Sequence, residues 1–169
     1  MELDNLKLAE DSELFMISSR EDNHDALLAM LKQAHQSLDI YSHNLDASLY
    51  DTAEYLAALK QLSLNGRNSK TRILIRDIDY ISKHGHRFVE LARRLPSFIE
   101  IRQTSSDFDH IISCYSIVDN RGIIFRNDAM RYEAKVSFND PLLARDLLKQ
   151  FEKIWNQSER SQEMRSLHI

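Results

Sequence analysis

A chain of 169 residues has room for one domain and enough interior to fold without a metal or disulfide staple. Three glycines and two prolines exclude a collagen-like or linker-rich chain, and a single cysteine, Cys114, excludes an internal disulfide. With 26 acids against 22 bases the formal charge is −4, so nucleic acid held by bulk charge is not an expected partner. No run approaches the ~18 apolar residues of a membrane span. The acidic stretch 1–15 lacks the basic and apolar blocks of a signal peptide. The expectation is a soluble cytoplasmic protein without membrane contact or cofactor.

In chain order, the apolar run 14–18 reads as a buried strand. Leu27, Leu28, Leu31 and Ala34 recur at helical spacing after cap-type residues at 20–23. Residues 38–42 alternate as a strand. The stretch 50–64 carries Tyr55, Leu56, Leu59 and Leu62 on one helical face, and Asn65-Gly66 predicts a left-handed stop. A strand at 71–76, a connection at 77–85, a helix from Phe88 to Leu95 and a strand at 98–102 follow. This alternation is that of parallel βα units. The remainder reads as a hairpin, 111–118 and 123–126, then a strand at 132–138. A helix capped by Asn139 or Asp140, with Pro141 in its first turn, buries Leu143, Leu147, Phe151, Ile154 and Trp155. One domain over 1–157 is expected, with a polar, disordered tail at 158–169. The fold class predicted is α/β, a mixed and mainly parallel sheet with helices on both faces.

The last third resembles the phospholipase D-like superfamily, and the order of elements resembles one half-domain of it. There a strand bears His-x-Lys-x-x-x-x-Asp, and a turn, a returning strand and a strand with Glu follow. Residues 115–125, 131–136 and 139–144 resemble that run. A closer likeness is to a bacterial branch found alone or behind an acetyltransferase domain. It rests on Tyr41-Ser42-His43-Asn44-Leu45-Asp46, Gly85-His86-Arg87 and Arg131-Tyr132-Glu133. The resemblance implies a fold without a defined reaction, and partners of two kinds: a second copy in a homodimer, or an acetyltransferase.

With Asp119 on the motif Asp, Ile112 stands at the His position and Cys114 at the Lys position. An isoleucine cannot attack phosphorus, and a thiol cannot hold phosphoryl oxygens as an ammonium does. His110 lies two residues early, with Ile112 at its Lys position. The expectation is a pseudoenzyme without phospholipase D-type catalysis.

Two groups of residues suggest anion binding, with a phosphate-bearing small molecule as partner. Lys83, His84, His86 and Arg87 surround Gly85 at a helix N-terminus, where amides and dipole favour an anion. The alternative is a capped helix with solvated charges. Arg20, Tyr41, Ser42, His43, Asn44 and Arg76 each follow a predicted strand and share its rim. The alternative is ordinary loop polarity. The expected ligand set is His86, Arg87, Arg76, Tyr41, Asn44, His84 and Lys83. A metal-dependent hydrolase using His84 and His86 remains open, and so does an interaction scaffold without a small ligand. Cys114 reads as a small buried hydrophobe. Asp46 reads as a cap, Glu133 as a partner of Arg126 or Arg131, and Arg93, Arg94 and Arg102 as a solvated face.

Overall fold

The computed structural model describes residues 2–160. Strands are β1 (Phe15–Ile17), β2 (Ser37–Ser42), β3 (Lys70–Ile75), β4 (Ile99–Gln103), β5 (Cys114–Val118), β6 (Gly122–Arg126), β7 (Ala134–Ser137) and β8 (Glu159–Arg160). Helices are α1 (Arg20–Leu31), α2 (Ala47–Tyr50), α3 (Ala53–Asn65), α4 (Ile78–His84), α5 (Arg87–Arg94) and α6 (Pro141–Asn156). One eight-stranded sheet has the order β1-β7-β6-β5-β2-β3-β4-β8. It is mixed, with helices on both faces, as expected. β1, β2, β3, β4 and β6 run the same way, but only the pairs β2–β3 and β3–β4 are parallel neighbours. β1 does not join that block. It crosses to the far edge and pairs antiparallel with β7.

Alternation along each strand splits the core in two. Leu38 and Ile40 of β2 and Ile73 and Ile75 of β3 face α1, α3 and α5. Tyr41, Leu74, Tyr115, Ile117 and Ile123 face Phe151, Ile154 and Trp155 of α6. Period 2 in the strands against a 3.6-residue stripe in the helices produces this sandwich.

Several local expectations change. Gly66 is not left-handed, with φ at −98°. Glycine suits this position for space, since a Cβ would lie 2.9 Å from the His35 carbonyl oxygen. Gly85 is the left-handed stop, at φ 70°, because 78–84 in the connection coil into α4 behind the Asp77 cap. Within the predicted tail, Glu159–Arg160 pairs with β4, and residues 161–169 lie outside the described residues. Arg102 is not solvated, because its guanidinium lies 4.1 Å over the Trp155 ring.

The β5–β6 hairpin turns on Asp119 and Asn120, both left-handed, and the Arg121 amide bonds the Val118 carbonyl. Those are the features of a type I′ turn. The Asp119 carboxylate accepts from the amides of His35, Gln36 and Ser37 at 2.8–3.0 Å. It therefore ties the hairpin to the start of β2. Asp119→Ala should lower stability by about 2 kcal/mol, as three amides lose a charged acceptor. Urea denaturation checks this, and an unchanged midpoint would contradict it.

Candidate functional site

Parallel direction brings the C-terminal ends of β2, β3 and β4 to one rim. On the α6 face of that rim stand Tyr41 in β2, His43 one residue past β2, and Arg76 one residue past β3. Thr104 follows β4, and its amide donates to the Ile75 carbonyl at 3.0 Å, which sets it beside Arg76.

Tyr41 is fully buried. Its ring stacks on Tyr115 at 5.5 Å between centroids and meets the His43 ring edge-on at 6.1 Å. Arg76 donates to the Ile111 carbonyl, faces the Tyr41 hydroxyl, and holds Nε 3.8 Å from Asp109 Oδ1, beyond hydrogen-bond reach. Four atoms here are buried without a hydrogen-bond partner among the described residues: Tyr41 Oη, His43 Nε2, Arg76 Nε and Thr104 Oγ1. Burial lowers the His43 pKa below the ordinary imidazole value, and Arg76 lowers it further, while the nearby carbonyls of Ile111 and Ser113 pull the other way. Burial likewise raises the Tyr41 hydroxyl. Near neutral pH the rim therefore presents one guanidinium, a neutral imidazole and two hydroxyls.

The positions that resemble the catalytic motif lie elsewhere. Ile112 is exposed, before β5. Cys114 is buried, and burial pushes its thiol up to about 11, so it is not a thiolate at neutral pH. On the opposite sheet face Arg126 closes the space over β5. Its Nε donates to the Arg131 carbonyl at 2.6 Å and its Nη2 to the Ala129 carbonyl at 2.8 Å. Its guanidinium lies 4.9 Å over Tyr132, whose hydroxyl donates to Asp46 at 2.7 Å. Asp46 also caps α2, as expected. The expected pairing of Glu133 with Arg126 or Arg131 is not formed among the described residues, because Arg126 is spent on carbonyls.

The basic segment 83–87 does not join the rim. His86 is buried at the N-cap of α5, where Nδ1 accepts from the Phe88 amide at 3.2 Å. That leaves Nε2 protonated, donating to the Leu45 carbonyl at 3.0 Å. Arg87 clamps Asp51, Nε to Oδ1 at 2.7 Å and Nη2 to the backbone carbonyl at 3.0 Å. His84 stacks on Tyr80 at 4.3 Å, and Lys83 and Asn44 are exposed. Of the expected ligand set, the structure brings together Arg76 and Tyr41. His84 and His86 turn to different partners, and no three His, Cys, Asp or Glu side chains among the described residues gather for a metal. Thr104 carries one sequence signal only, its place one residue beyond a strand on the same rim.

Residues 19–167 match a family model described as a domain of unknown function, DUF7931. No curated protein matches the chain. Among solved structures, TrmBL2, an archaeal chromatin protein described as showing a novel mode of DNA binding, superposes with a TM-score of 0.65 at 15% identity. The match covers 93% of this chain and 56% of TrmBL2, so the chain spans about half of that protein. Nuc, a phospholipase D family member from Salmonella typhimurium, gives 0.62 at 19% identity, over 89% of this chain and 99% of Nuc. NucT from Helicobacter pylori gives 0.62 at 10% identity, over 88% and 99%. At these identities the likeness shows the fold: the chain has the phospholipase D-like fold. No helix among the described residues is long and apolar enough to cross a membrane.

His86 makes a pH prediction. Burial lowers its folded pKa, so the unfolded chain binds the extra proton first. Its contribution is complete above the ordinary imidazole value of about 6.5 and is lost as pH falls from there toward the lower folded value. Urea midpoints should drop between pH 7 and pH 5, and less steeply in His86→Asn, which keeps a capping side chain. Equal slopes in the two proteins would contradict the assignment.

Proposed function

The chain belongs to the DUF7931 family, a domain of unknown function, and we propose that it is a non-catalytic phospholipase D-like module binding a phosphate-bearing ligand at the rim formed by β2, β3 and β4. The observation that carries this reading is the set of four buried, unpartnered polar atoms on Tyr41, His43, Arg76 and Thr104. A buried polar atom without a partner costs roughly 1–3 kcal/mol. Four stand on adjacent strand ends with one guanidinium among them, and a tetrahedral oxyanion accepts from an N–H and from hydroxyls such as these. Ligands of open α/β sheets bind outside the carboxyl ends of the strands, where this rim lies.

The non-catalytic part rests on Ile112 and Cys114. Neither supplies a nucleophile for phosphorus at neutral pH, and Arg126, across from Cys114 in the β5–β6 pair, is taken up by its own chain's carbonyls. The neighbours' activities do not carry over at 10–19% identity. The acidic balance of the chain favours a small phosphate compound over nucleic acid as the ligand.

Inorganic phosphate at ten times its Kd should stabilise the protein by about 1.4 kcal/mol and raise Tm by several degrees. Arg76→Gln should abolish the rise and Arg87→Gln should keep it. A full rise in Arg76→Gln, or its loss in Arg87→Gln, would move the site to the basic segment. A chromogenic phosphodiester should show no turnover, and turnover that disappears in His110→Ala would overturn the non-catalytic reading.

A further inference from the structure

Resting on the phosphate-site reading above, we infer that the rim takes up a dianionic oxyanion together with one proton, which His43 holds. The charges facing His43 are few. From β3 comes Arg76, partly offset by Asp109 of the segment entering β5. Arg126 of β6 acts only weakly, from the opposite sheet face, and is committed to two backbone carbonyls. Tyr41 and, behind it, Tyr115 and Cys114 are neutral, because burial raises all three. Near neutral pH a dianion entering the rim meets one partly offset guanidinium and lacks a second positive charge.

His43 is the group able to supply it. Its Nε2 is buried and unpartnered in the same rim as the Arg76 Nε and the Tyr41 hydroxyl. In the free protein burial, reinforced by Arg76 and more weakly by Arg126, keeps its pKa below the ordinary imidazole value. An anion within about 4–6 Å reverses the sign of that local field and favours the imidazolium. In the imidazolium both ring nitrogens are donors, so Nε2 can give the ligand a charge-assisted bond in place of no bond at all. A monoanionic diester demands less compensating charge, so the coupling selects a phosphate monoester over a diester.

Sulfate is the probe, since it stays dianionic from pH 5 to pH 8 and contributes no proton of its own. Titration calorimetry on the full chain should show sulfate affinity rising about threefold to tenfold for each pH unit between 7.5 and 5.5, tenfold being the limit for one coupled proton. At pH 6.5 the heat should depend on the buffer's ionisation enthalpy, with close to one proton taken up. His43→Gln keeps a side-chain amide at this position and should bind sulfate with an affinity that does not change with pH, without proton uptake. Sulfate binding that is independent of pH in the native protein overturns the proton coupling and leaves the phosphate site standing. A pH slope that persists in His43→Gln assigns the proton to another group and overturns the role of His43. Absence of sulfate and phosphate binding at every pH overturns the site itself.

Discussion

A buried polar side chain must find a partner, and the architecture follows from where that rule is met. At the N-terminal ends of β2 and β3, under α6, Arg72 and its carboxylates meet it, and the Ser37 hydroxyl is the one buried atom there without a partner among the described residues. Arg72 Nε donates to Asp39 at 2.7 Å and Nη1 to Glu152 at 2.6 Å, with its guanidinium 4.9 Å over Phe151 and 5.5 Å over Trp155. Burial raises the Asp39 carboxyl although Arg72 pulls it down, so desolvation is the larger force there. The network fixes the helix on the sheet. At the C-terminal ends of the same strands, on the same face, the rule is unmet at four atoms. One face thus has a committed end and an open end.

The same contrast separates the two basic regions. Arg87 meets a carboxylate and a carbonyl of its own chain, and the His86 ring is used at both nitrogens by backbone groups. Charge that is already paired has little to offer a ligand. Arg76 donates to one carbonyl and leaves its Nε short of Asp109. The segment 83–87 is the more basic of the two in sequence, and it is the partners that take its charge out of play.

This explains what sequence reading reached and what it missed. The α/β class, the two helical layers, the hairpin and the α6 cap were legible because each depends on local pattern: period, a polar turn between two apolar runs, an Asp three residues before Leu143. The position of β1 at the far edge was not legible, because strand order depends on pairing across 121 residues from Phe15 to Val136 and leaves no local mark. Tyr41 and Arg76 were legible as strand-end residues. Thr104 was hidden because a threonine past a strand is common, and its meaning comes from lying beside Arg76. The basic segment misled for the opposite reason: its clustering is visible in sequence, while Asp51 and the Leu45 carbonyl that consume it are 36 and 41 residues away.

The most direct measurement is nuclear magnetic resonance of the side-chain nitrogens during titration with inorganic phosphate. The account predicts that the Arg76 Nε–H and His43 ring signals shift together and saturate with one binding constant, while Arg87 Nε–H stays in place. Saturable shifts confined to Arg87 and its neighbours, or no saturable shift at Arg76, would contradict it.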